Sequence, residues 1–151
     1  MGQQVHTNET GFSSAERAAM QQRADELRAQ TSLKGGAKRE REYAACIEAI
    51  HALSGTDRHI AERFHVLVTE EAPHLDPKTW YGFPSYASNG KVITFVQPAT
   101  KFGTRYATIG FTEDAVLDDG PIWATSFAVT EMTPEVEGML RELVRCAASL
   151  C

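Results

Sequence analysis

At Thr79 the pattern of apolar residues changes period, and that change limits what the chain can fold into. Before it, apolar residues recur at three- and four-residue steps, as on one face of a helix: Tyr43, Ile47, Ile50 and Leu53, then Ile60, Phe64, Leu67 and Val68. After it they come in short strand-like runs broken by turn residues. Asn89-Gly90 is the sharpest of these breaks, because both residues tolerate the positive φ of a type I′ hairpin turn. Near the C-terminus the helical step returns with Val136, Met139, Leu140, Leu143, Val144 and Ala147. Helices, then strands on short turns, then a helix predict an α+β fold, with helices packed on one face of a mainly antiparallel sheet.

The boundaries follow from capping and breaking residues. Residues 1–11 are polar with Gly and are expected to be disordered. Ser13-Ser14-Ala15-Glu16 is a capping-box pattern that opens a helix to about Gln30. Gly35-Gly36 is read as a flexible joint, so residues 1–36 form an N-terminal extension and 37–151 the α+β domain. Helices are expected over about Arg39–Leu53 and from a cap at Thr56 or Asp57 to Glu71. Pro73 and Pro77 bracket a loop. Strands are expected over Lys91–Val96, apolar on both faces and so central, over Arg105–Phe111, and over Trp123–Val129. Thr133-Pro134 is a standard helix entry.

Charge and composition remove several functions. The net charge is −5 and the pI about 5.5, without the basic face that a nucleic-acid binder needs. No apolar run approaches the roughly 20 residues that span a bilayer. The first ten residues have neither a basic nor an apolar leader segment. Three cysteines (Cys46, Cys146 and Cys151) are too few and odd in number for a disulfide framework, so the cytosol is expected. The bland reading of a helical Cys, a small buried hydrophobe, is preferred to a nucleophile.

Nine of the thirteen Phe, Tyr and Trp residues fall between positions 80 and 123, and four of them lie in Trp80–Tyr86. The Gly and Pro in that stretch suggest a strand-loop corner that fixes large flat side chains. Phe95, Phe111 and Trp123 are expected in the core. Trp80, Tyr81, Tyr86 and Tyr106 have polar tips suited to half-exposed positions and are the candidate pocket wall, with Pro84 in the corner. Lys91, Lys101 and Arg105 lie in the same block and would set cations near those rings, for a small or anionic ligand.

A second set is acidic: Glu113, Asp114, Asp118 and Asp119. Clustered carboxylates suit hard cations, iron(II) included, although the spacing is not that of an EF-hand. For Glu113 and Asp114 the preferred reading is structural, at the start of a helical turn. The five histidines form no HxH or HxxxH pair, and no phosphate loop, nucleophile elbow or zinc motif occurs. No catalytic residue is assigned.

Thr79–Tyr86, Gly90-Lys91-Val92, Phe95, Gln97-Pro98-Ala99, Lys101-Phe102, Arg105–Phe111, Leu117–Gly120 and Trp123 follow one another in an order that resembles the YdhG-like family, a bacterial domain of unknown function. The likeness spans about residues 56–148 and extends to the N-terminal helix. Phe83 stands where that family usually has Met, and Ala124 where it usually has Pro. The resemblance implies a small α+β domain similar in layout to frataxin. It also implies, for some members, a role as a frataxin-like iron chaperone; no cofactor is expected here, with iron the one candidate. The functions weighed are a cytosolic ligand-binding module, an interaction module that docks a protein partner or forms a homodimer, an iron chaperone and, as the weakest option, an enzyme.

Overall fold

The computed structural model describes residues 11–32 and 35–151. Three helices come first: α1 (Ser14–Ser32), α2 (Gly35–His51) and α3 (Gly55–Glu71). The chain continues through β1 (Asp76–Trp80), β2 (Phe83–Ser88), β3 (Lys91–Gln97), the single turn α4 (Ala99–Phe102), β4 (Ala107–Phe111) and β5 (Ser126–Val129), and ends in α5 (Pro134–Ala147). The strands form one antiparallel meander in the order β1-β2-β3-β4-β5, so β3 is central, as its two apolar faces require. The fold is α+β with an antiparallel sheet.

Local chemistry explains most ends. Ser13 Oγ accepts the Glu16 N–H at 3.1 Å while the Glu16 carboxylate reaches back to the Ser13 N–H, completing the capping box. Thr133 Oγ1 accepts the Val136 N–H at the start of α5, with Pro134 in the first helical position. The β2–β3 turn has Asn89 at φ 51° and Gly90 at φ 81°, the type I′ conformation expected of that pair.

Several boundaries differ from expectation. Gly35-Gly36 is not a joint but the first turn of α2, and the turn after α2 falls at Ala52–Ser54. The Pro73–Pro77 loop is shorter than expected because β1 begins at Asp76, and an edge strand admits Pro77. β1 and β2 replace the single corner with a full hairpin. Its turn is Tyr81-Gly82, at φ 53° and 80°, again type I′ but with Tyr in place of the usual Asn or Gly. β4 starts at Ala107 rather than Arg105, and β5 at Ser126 rather than Trp123, which leaves Trp123 on the preceding loop, 40% exposed instead of in the core. The cysteines also differ from expectation: Cys146 and Cys151 form a disulfide that staples the end of α5, while Cys46 is free and buried. Pairing removes cysteine scarcity as an argument for a reducing compartment. Among the described residues no helix is long and apolar enough to cross a membrane. The expected disorder of residues 1–10 lies outside the described residues.

The main core lies between the sheet and α2, α3 and α5. Ile60, Phe64, Leu67 and Val68 of α3 meet Tyr86, Val96, Ala107, Ile109 and Phe111 of the sheet, and Leu140, Val144 and Ala147 of α5 complete the cluster. Ala107, Ile109 and Phe111 are all buried, as alternation along β4 predicts. Tyr43, placed on the apolar stripe of α2 by its spacing, is 49% exposed, and Cys46 is buried instead.

Candidate functional site

The Tyr81-Gly82 turn projects beneath α1, and hollows open on either side of it. Gly82 is required there twice over: its φ is positive, and an added Cβ would run into the Gln22 and Lys101 side chains. Its N–H donates to Glu26 Oε1 at 3.0 Å, and Lys101 Nζ donates to Gln22 Oε1 at 2.7 Å. α1 is thus fastened to the hairpin and to α4 by polar contacts. Its apolar contribution is small, Ala19 being its buried hydrophobic residue.

On one side lies a groove of about 340 Å³, lined by Phe12, Ala19 and Met20 of α1 with its approach and by Trp80, Tyr81, Phe83, Phe95 and Phe102. The rings pack edge to face, with centroids 5.3 Å apart for Trp80–Phe95 and 5.9 Å for Phe83–Phe102. Phe95 lies over Gly110, whose missing side chain makes room for the ring.

On the other side is a larger recess of about 630 Å³. Ala45 and Ala49 of α2, Ala52 and Leu53 of the turn after it, and Pro84 and Pro98 form its apolar lining. Its polar lining includes Gln22, Asp25, Glu26, Glu48, Asp57, Thr79, Thr100 and Lys101. The cause is compositional: alanines occupy the facing positions of α2, and a native core filled by larger side chains would leave no such volume. A smaller hollow of about 240 Å³ shares Asp25, Glu26, Ala45 and Thr79 with it and continues toward Lys38, Arg41, Glu42 and Lys78. There Lys78 is buried and stands 3.7 Å from Glu42, too far for a hydrogen bond; burial lowers its pKa, and Glu42 partly offsets this.

The larger recess is mainly anionic. Four carboxylates line it against one cation, Lys101. Asp57 is buried, and its two oxygens accept the N–H groups of Ala99 (3.0 Å) and Thr100 (2.9 Å), so it caps α4 rather than its own helix. Glu26 is held by Gly82 and by Arg23 at 3.5 Å. Asp25 pairs with Arg28. The Glu48 carboxylate has no ion-pair or hydrogen-bond partner among the described residues, and the residue is exposed at the rim. Lys101 is half-buried, its pKa lowered by burial, and its ammonium is already held by Gln22 and approached by the Tyr81 carbonyl at 3.5 Å.

The residues singled out by the sequence therefore divide. Trp80 and Tyr81 line the aromatic groove, while Pro84 and Lys101 line the recess. Tyr86 belongs to neither: it is fully buried in the core, against Phe64 and His65. Its period-two position on β2, opposite Thr94, sends it to the helix-covered face. Tyr106 is half-buried with the Arg105 guanidinium over its ring, away from both hollows. Lys91 lies at the opposite end of β3, 3.8 Å from Asp114.

The four acidic candidates are all exposed, and Glu113 and Asp118 line a surface depression beside Trp123. Among the described residues, no three His, Cys, Asp or Glu side chains are grouped to hold a metal ion. Glu113 and Asp114 occupy a turn rather than a helix, with the Asp114 N–H donating to Thr112 Oγ1. Sequence reasoning missed Gln22, Glu26, Glu48 and Asp57. The alanine spacing of α2 was the available signal for a hollow, and it reads equally well as ordinary helix.

No protein-family model, curated protein or solved structure matches the chain.

Proposed function

We propose that this protein is a non-catalytic binding module for a small molecule, held in the recess between α1, α2 and the β1–β2 hairpin. The supporting observation is the 630 Å³ volume itself, which falls in the range of small-ligand sites and combines an apolar lining with a few converging polar groups. The charge balance favours a ligand with a cationic or hydrogen-bond-donating end, directed to Glu48 and Glu26, and an apolar body against Ala49, Leu53 and Pro84. Lys101 is the support for an anionic ligand, and its ammonium already serves to hold α1. The aromatic groove is the natural extension of the site for a ligand with a ring.

The test is a thermal-shift screen of size-matched small amines, neutral amides and carboxylates, repeated on two variants. Ala49→Leu fills the recess, and Glu48→Gln removes its unpartnered charge. Amines should raise the melting temperature, Ala49→Leu should abolish the shift, and Glu48→Gln should weaken binding by about fivefold to tenfold, the scale of one charge-assisted hydrogen bond. A screen that stabilises with carboxylates, or hits indifferent to both substitutions, would remove the reading.

A further inference from the structure

Between Arg105 and Arg141 the sequence carries seven carboxylates and no Lys, Arg or His. The segment includes β4, the loop 112–125 and β5, at the end of the sheet away from α1. Two of the seven are paired, Asp114 with Lys91 and Glu137 with Arg63; the other five have no ion-pair partner among the described residues. Within this anionic stretch the loop exposes Val116 (53%), Ile122 (82%) and Trp123 (40%). Ile122 and Trp123 share a depression of about 540 Å³ with Glu113 and Asp118.

The two edges of the sheet are treated differently. β1 carries Pro77 and Lys78 and is packed by α2, which are usual ways of blocking an edge. β5 reads Ser126-Phe127-Ala128-Val129, with neither charge nor proline, and its extensive packing is with β4. The phase of its backbone follows from one bond: the Phe111 N–H donates to the Thr125 carbonyl at 2.8 Å. With Ile109 opposite Phe127 and Ala107 opposite Val129, alternation turns the N–H and C=O groups of Thr125, Phe127 and Val129 toward β4. Those of Ser126 and Ala128 then point away from the sheet.

We infer that the free edge of β5, with Ile122 and Trp123, is a docking surface for an extended segment of another protein that carries Lys or Arg. The segment adds as a sixth strand through the outward groups of Ser126 and Ala128, inserts apolar side chains beside Trp123, and places its cations near Glu113 and Asp118. A second copy of this chain is the poorer occupant, because pairing two β5 edges would set two anionic faces against each other.

The probe is a fluorescein-labelled octapeptide of alternating valine and lysine, with its valine–glutamate counterpart as control, followed by fluorescence anisotropy on the full chain. Ala128→Pro deletes one outward N–H while leaving the ladder to β4 intact, and Trp123→Ala removes the anchor. The lysine peptide should bind, the glutamate peptide should not, and each substitution should weaken binding about tenfold. Raising salt from about 50 to 300 mM should weaken it severalfold. Should Ala128→Pro fail to fold, judged by circular dichroism, Ser126→Pro and Trp123→Ala carry the test. The inference is overturned by no binding of the lysine peptide at about 1 mM, by equal binding of both peptides, or by affinity indifferent to the folded edge variants. A homodimer that Ala128→Pro dissociates overturns it as well, since the occupant would then be a second copy.

Discussion

The Tyr86 hydroxyl lies 2.9 Å from His65 Nδ1, joining the centre of β2 to α3 inside the core. Burial pushes the nearby Cys46 thiol up to about 11, an effect that the Tyr86 hydroxyl partly offsets. Burial likewise raises the Tyr86 phenol and lowers the His65 imidazole. A neutral imidazole suits this pair: the phenol donates to Nδ1 in one tautomer and accepts its N–H in the other.

This arrangement fixes a pH dependence. A histidine pKa lowered by folding means that the unfolded chain binds more protons between the two values. The stabilising contribution is complete above the unfolded pKa of about 6.5 and is lost as pH falls through the lower folded value. Urea unfolding at steps from pH 7.5 to 5 should show stability dropping by up to about 1.4 kcal/mol per pH unit more in the wild type than in His65→Gln. Identical slopes for the two proteins would contradict it.

Asp57 should be worth more than its surface neighbours. Its carboxylate satisfies two N–H groups of α4 across the fold. Asp57→Ala strands both donors and should cost about 2–4 kcal/mol, with Asp57→Asn costing roughly half as much. Denaturant titration of the three proteins decides this, and a loss below about 0.5 kcal/mol for Asp57→Ala would show the contacts to be dispensable.

Gly110 and Phe95 should be coupled. A side chain at Gly110 must displace the Phe95 ring, so Gly110→Ala should destabilise by about 1–3 kcal/mol. In a Phe95→Ala background the same change should cost markedly less, and a double-mutant cycle measures the difference. Additive losses would mean that the ring and the glycine act independently.

The fastening of α1 can be tested by proteolysis. Glu26→Ala leaves the Gly82 N–H without its acceptor and Gln22→Ala releases Lys101. The double variant should be cut within α1 several times faster than the wild type, while global unfolding moves by no more than about 1–2 kcal/mol. Unchanged cleavage rates would show that Ala19 and the aromatic groove suffice to hold the helix.

The helices and central strands are legible because their apolar periods are strong: α3, α5 and β3–β4 lie where spacing puts them. The β1–β2 hairpin is hidden because Pro77, Gly82 and Pro84 read as breakers. Pro77 sits on an edge strand, and the β2–β3 pairing begins at Ser85, one residue beyond Pro84. Tyr86 illustrates a separate difficulty. A polar tip suggests partial exposure, but His65 supplies the hydrogen-bond partner that lets a tyrosine be buried completely, and that partner comes from a helix 21 residues earlier. The recess escapes notice because it is made by what α2 lacks rather than by any residue type that announces a ligand.

One helix covers both hollows beside the Tyr81-Gly82 turn, the aromatic one under its first half and the anionic one under its second. Occupancy at one would therefore bear on the other through the position of this shared helix. A molecule that tilts α1 away from Trp80 also changes the distance between Glu26 and Gly82, and by linkage the reverse holds with equal free energy. If both hollows take a ligand, the coupling between them would be set by the stiffness of this single helix.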